Sequence, residues 1–122
     1  TTHGHMHPWR LLLVDDNPVN LKVASMLCQQ IWPLADVQCV SSGQACLQTL
    51  ATNTIDAVLM DLVMPEMDGL QTTQALRTSG HAGWDKLPVI GLTALGRHQR
   101  AFLHGLYLLP GSDVRHTGQL IA

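Results

Sequence analysis

The sequence predicts an α/β fold: a doubly wound, five-stranded parallel sheet with helices on both faces. Two observations predict it. Apolar runs alternate along the chain with segments of helical period, the pattern of a parallel sheet covered on both sides. Several of these runs stop abruptly at an acid or a hydroxyl, as strands do when their carboxyl ends line a crevice.

Leu11-Leu12-Leu13-Val14 reads as a strand buried on both faces, ending at Asp15-Asp16. Asn17 then supplies a helix cap and Pro18 a first-turn proline. Val19, Val23, Leu27 and Ile31 follow at i+4 spacing and predict the buried stripe of a helix that Pro33 stops. Val37 to Val40 is a short strand, Ser41-Ser42-Gly43 a turn, and Ala45, Cys46, Leu47 and Leu50 suit a short helix. Ile55 to Met60 is a third strand, ending at Asp61. Met64 to Gly69 is a loop, Leu70 to Thr78 a helix, and Ser79 to Gly83 a break. Leu87 to Leu92 is a fourth strand, ending at Thr93. Gly96 to His104 predicts a helix, Leu106 to Leu109 a fifth strand and Ser112 to Ala122 a last helix.

The 122 residues suit one domain, for which ~100–200 is usual. Thr1-Thr2-His3-Gly4-His5-Met6-His7-Pro8 reads as a leader or tag remnant, leaving residues 9–122 as the domain. Charged residues make up 13% of the chain, against ~25% in a typical domain. With 46% hydrophobic residues, the composition argues against disorder. A net charge of −2 and no basic stripe argue against nucleic-acid contact. No apolar run approaches the ~18 residues of a membrane span, so no membrane contact is expected of this domain. Cys28, Cys39 and Cys46 lack metal-ligand spacing and are odd in number. They read as small buried hydrophobes in a reducing, cytoplasmic setting.

With charge so scarce, its positions carry the information. Asp15-Asp16, Asp61 and Thr93 each follow an apolar strand directly. In an open α/β sheet these residues meet in one crevice. Crowded carboxylates repel, and their pKa values rise unless a cation joins them. Mg²⁺ takes oxygen ligands of this kind together with a phosphate, and an Asp carboxylate can act as a nucleophile and form an aspartyl phosphate. Each residue also has a plain reading: Asp15-Asp16 as helix-capping acids, Asp61 as a loop acid, Thr93 as a strand-end hydroxyl. Asp56 reads as a solvated or capping acid.

Leu12-Leu13-Val14-Asp15-Asp16-Asn17-Pro18-Val19-Asn20 and Met60-Asp61-Leu62-Val63-Met64-Pro65-Glu66-Met67-Asp68-Gly69 resemble the response-regulator receiver domain. Pro88-Val89-Ile90-Gly91-Leu92-Thr93-Ala94 is similar to that family's fourth strand and switch threonine. The Asp-Asn-Pro-Val-Asn wording resembles receivers fused to hybrid sensor histidine kinases. The resemblance implies a flavodoxin-like receiver fold, Asp61 as phosphoacceptor, and Mg²⁺ held by Asp15, Asp16, Asp61 and the Val63 backbone carbonyl. It also implies phosphoryl binding and switching by Thr93, Ala94 and Tyr107. The implied donor is the phosphohistidine of a histidine kinase or histidine phosphotransfer domain, with self-association a further expectation. The domain would be a phosphoacceptor and not itself an enzyme, in the cytoplasm or in the cytoplasmic part of a membrane sensor kinase.

The resemblance fails in one place. The family carries a lysine before a proline at the end of strand five, pairing with the phosphoryl group. Here the stretch reads Tyr107-Leu108-Leu109-Pro110, and no lysine follows Lys86. The interval from Thr93 to Pro110 is also roughly six residues short, between one and two helical turns. Either the output half is degenerate, or residues of the natural chain are absent from this sequence. The functional expectation is a phosphorelay receiver. The alternative is a pseudo-receiver, an interaction domain lacking the phosphate-sensing lysine. An aspartate-nucleophile phosphatase would want an acid two residues after Asp61, where Val63 stands. Val63 and Leu95, two beyond Asp61 and Thr93, cannot orient a water, so slow self-dephosphorylation is expected.

Overall fold

A computed structural model describes residues 6–61, 69–93 and 105–108. The elements are β1 (Arg10–Val14), α1 (Pro18–Ile31), β2 (Asp36–Val40), α2 (Gly43–Thr52), β3 (Ala57–Asp61), α3 (Gly69–Arg77), β4 (Val89–Thr93) and β5 (Gly105–Leu108). The helices expected over 96–104 and 112–122 lie outside the described residues, as do residues 1–5 of the expected leader.

The strand order is β2-β1-β3-β4-β5. β1 pairs in parallel with β2 and β3, and β3 in parallel with β4. The order reverses between β1 and β3, so the carboxyl ends of these two strands flank the switch point where a doubly wound sheet binds its ligand. The expectation of five parallel strands fails at the last one. β5 runs antiparallel to β4, with Thr93 opposite Gly105 and Ile90 opposite Leu108. Chain length gives the physical reason. A parallel return needs a crossover of a dozen or more residues, and only residues 94–104 separate the two strands.

Alternation along β1 and β3 divides the core. Leu12, Val14, Val58 and Met60 meet Cys46 and Leu50 of α2 and Leu76 of α3 on one face. Leu11, Leu13, Ala57 and Leu59 meet Cys28 of α1 and Trp32 on the other. The last four residues of β1, Leu11 to Val14, are at most 1% exposed. Truncating one of these leucines to Ala would cost about 2–5 kcal/mol in transfer and cavity terms. This burial holds the acids just beyond β1 at a fixed height above the sheet.

Helix α1 packs differently from its expected stripe. Cys28 is buried, and Leu21 and Ala24 pack beside it, while Val19 is 66% and Ile31 47% exposed. Lys22 is the only charged residue among the fourteen of this helix. Its apolar residues therefore form two competing stripes, and contact with β1 and β2 selects the one that ends in Trp32.

Asp56 has a structural task at the far end of the sheet. Its carboxylate accepts the Arg10 backbone N–H at 2.8 Å and lies 4.0 Å from Arg10 Nε. The Asp56 N–H donates to the Arg10 carbonyl at 2.7 Å. The reading of Asp56 as a capping acid fits this exchange, which pins the start of β1 against the segment entering β3.

Candidate metal and phosphoacceptor site

Asp15 and Asp16 follow β1 directly, and Asp61 is the last residue of β3. Val14 registers with Met60, so β3 ends one residue beyond β1, and Asp61 falls level with the residue that follows Val14. Each of the three aspartates offers a carboxylate oxygen, and these oxygens all lie within 4.8 Å of one another. Asp15 and Asp61 are half-buried, and Asp16 is exposed.

The peptide around Asp15 is held on both sides. Its N–H donates to the Val40 carbonyl at 3.2 Å, extending the β1–β2 ladder one step past the strand. Its carboxylate accepts the Asn17 N–H at 2.9 Å. Asn17 then caps α1, its side-chain oxygen accepting from the N–H groups of Val19 at 2.8 Å and Asn20 at 3.3 Å. Loop and helix start thus form one hydrogen-bonded unit at the entry of α1.

The Asp15 carboxyl is pushed up from 3.8 to about 6. Burial is the main cause, and the charges of Asp61 and Asp16 add to it. The Asn17 N–H and the Asn20 side chain oppose the rise. A carboxylate strained this way gains from a cation placed between it and its neighbours. The donor set is all hard oxygen, the ligand chemistry Mg²⁺ prefers. The residues present therefore fit that ion.

Thr93 ends β4, one residue beyond Leu92, which registers with Asp61. Its backbone lies at the carboxyl end of β4, on the side of β3 away from β1. Tyr107 registers with Gly91, two positions back along β4 from Thr93. Val63 and Ala94 lie outside the described residues, as do Pro65 and Leu95. Gly69 opens α3 and is buried.

Two contributors escaped the sequence reading. Asn20 reaches back to the Asp15 carboxylate, and Val40 holds the Asp15 backbone. The first has a signal in the Asp-Asp-Asn-Pro-Val-Asn spacing, which places Asn20 in the first turn of α1. The second depends on β1–β2 register and has no local signal.

The response regulator receiver domain model matches residues 11–104, more than three-quarters of the chain. The chain belongs to that family. It is 39% identical over 118 residues to the sensor histidine kinase GacS of Pseudomonas protegens, covering 92% of this chain and 13% of that protein. It is 42% identical over 86 residues to the sensor histidine kinase RcsC of Escherichia coli, covering 69% of this chain and 8% of that one. The chain thus spans a small fraction of the length of these relatives. Among solved structures, a response regulator from Chloroflexus aurantiacus superposes with a TM-score of 0.65 at 28% identity, over 76% of this chain and 73% of that one. The N-terminal domain of a receiver protein from Methanoculleus marisnigri gives 0.64 at 26% identity, over 93% and 80%.

Proposed function

We propose that this receiver domain accepts a phosphoryl group from a partner phosphohistidine onto Asp61, with Mg²⁺, and passes the signal on as a change of conformation. The observation that carries the reading is the convergence of Asp15, Asp16 and Asp61 within 4.8 Å at the carboxyl ends of β1 and β3. Asp15, Asp16 and Asp61 would hold the metal, joined by the Val63 backbone carbonyl. Bound there, Mg²⁺ supplies neutralising charge for the transferring phosphoryl group.

An Asp61 carboxylate oxygen attacks phosphorus in line. The P–N bond breaks, its electron pair stays on the leaving imidazole nitrogen, and that nitrogen takes up a proton. The product is an acyl phosphate on Asp61. Asp15, fixed by Asn17 and Val40, keeps the acidic cluster in place before the donor arrives, so positioning supplies much of the rate. The Thr93 hydroxyl and the Ala94 backbone receive the phosphoryl oxygens, and Tyr107 follows the switch. The output is a population shift, not turnover.

The domain proper is read as residues 9–122, one receiver within a sensor kinase, on its cytoplasmic side. Its donor would be a histidine kinase or a histidine phosphotransfer domain, and the domain itself would touch neither nucleic acid nor membrane. Among the described residues no helix is long and apolar enough to cross a membrane.

The test is acylation by a small phosphodonor with Mg²⁺, followed by intact mass. One phosphoryl adduct on the wild type and none on Asp61→Asn is the expected result. Beryllofluoride with Mg²⁺ should also shift the tryptophan emission. With neither adduct nor shift, the chain acts as a pseudo-receiver, the outcome that the absent lysine would favour.

A further inference from the structure

Two of the three cysteines lie on the same side of the sheet, in consecutive elements. Cys28 sits on the buried side of α1, among Leu11, Leu13 and Trp32. Cys39 lies on β2, registered with Leu13. Neighbouring strands in register present their side chains to the same face, and Val37, two residues before Cys39, packs against the Cys28 cluster. Cys39 therefore faces α1. Its thiol shares a hydrogen bond with Ser25, one helical turn before Cys28. Cys39 is exposed and Cys28 buried. Cys46 is fully buried in the cluster on the opposite face, with the sheet between it and the other two.

We propose that Cys28 and Cys39 are a redox-modifiable pair, closing a reversible intrachain disulfide between α1 and β2 when the domain meets a peroxide. The exposed Cys39 reacts first. Its sulfur attacks one peroxide oxygen, the O–O bond breaks, and Cys39 becomes a sulfenic acid as water leaves. The Cys28 sulfur then attacks the Cys39 sulfur and displaces its oxygen as a second water. Two thiols lose two protons and two electrons in all, and one hydrogen peroxide takes them up to become two waters. A small thiol reductant reverses the bond by exchange.

Burial shapes the kinetics. It pushes the Cys28 thiol up to about 11 and that of Cys46 to about 12, and it raises Cys39 as well. Few thiolates exist near neutral pH, so closure is slow there and quickens as pH rises. The bridge would tie together the two elements that hold Asp15. Cys39 precedes Val40, whose carbonyl accepts the Asp15 N–H, and α1 begins at the Asn17 cap.

The experiment treats the folded 122-residue chain with dilute hydrogen peroxide, then maps peptides after blocking free thiols. The expected result is loss of two hydrogens, one Cys28–Cys39 cross-linked peptide, and Cys46 still blockable. Cys46→Ala should cross-link as fast as the wild type, while Cys28→Ala and Cys39→Ala should each give none. Either of the last two alone suffices if the other fails to fold. Oxidation of Cys39 to sulfinic acid without a cross-link would overturn the proposal. So would a bridge that includes Cys46, or Cys39 joined only between two chains.

Discussion

The Asp15 carboxylate accepts the backbone N–H of Asn17 at 2.9 Å, while the Asn17 side chain caps the helix that follows. One acid thus belongs both to the acidic cluster and to the entry of α1. Its burial and its acidic neighbours hold its pKa near 6, above the ordinary 3.8.

That shift has a definite sign. A carboxyl whose folded pKa is raised binds its proton more tightly in the folded chain. It therefore destabilises the fold fully above about pH 6, and the penalty fades as pH falls from there towards 3.8. Without metal, the thermal midpoint should rise between pH 7 and pH 5. Saturating Mg²⁺ should flatten that rise. Asp15→Asn should stabilise the metal-free chain at pH 7 by about 1 kcal/mol, after allowing for solvent screening of a half-buried group. Its Mg²⁺ affinity should fall by at least about tenfold, since a charged ligand is lost. Calorimetry at the two pH values, with and without Mg²⁺, checks all of this.

Asn17→Ala removes an acceptor for two orphan N–H groups at the start of α1. The expected cost is about 1 kcal/mol, with most of it restored by Asn17→Ser. Urea denaturation at fixed Mg²⁺ measures both variants. A larger effect on Mg²⁺ affinity than on stability would show that the cap also sets the position of Asp15.

Arg77 ends α3 and donates through one nitrogen to the carbonyls of Trp84 and Leu87, at 2.8 and 2.7 Å. It ties the turn segment after α3 to the entry of β4. Arg77→Met keeps much of the apolar stem and loses both charge-assisted bonds. Stability should drop by about 1.5–3 kcal/mol. Trp84, half-buried and stacked on His81 at 4.0 Å, should report the loosened segment by a red-shifted emission.

Val63→Asn tests the lifetime of the acyl phosphate. An amide two residues beyond Asp61 can orient water where Val63 cannot. The phosphoryl half-life should shorten several-fold while the initial rate of acylation stays unchanged. An unaltered half-life would show that Val63 does not set the rate.

Much of the site was legible because its residues follow strands that read plainly. A run such as Leu11 to Val14 announces a buried strand, and the polar residue after it must sit at the strand's end. Asp15, Asp16 and Asp61 need only that much topology to converge. The buried stripe of α1 was not legible. Val19-Val23-Leu27-Ile31 and Leu21-Ala24-Cys28 are both helical repeats, and one lysine cannot decide which faces inward. The direction of β5 was misread for a different reason. Tyr107-Leu108-Leu109-Pro110 resembles a fifth strand whichever way it runs, and the length of the preceding connection decides the direction.

The antiparallel course of β5 also bears on any attempt to rebuild the missing basic group. Leu108 lies level with Ile90, two positions back from the residue registered with Asp61. That is roughly 7 Å along the sheet and two strand spacings, about 9.5 Å, across it. From Gly105 to Leu108 the strand runs away from the end of the sheet that carries the acidic cluster. A lysine substituted at Leu108 would therefore stand level with Ile90, away from the acidic cluster. Repair by engineering calls for lengthening the connection between Thr93 and Gly105 until the strand can reverse, and only then for the new side chain.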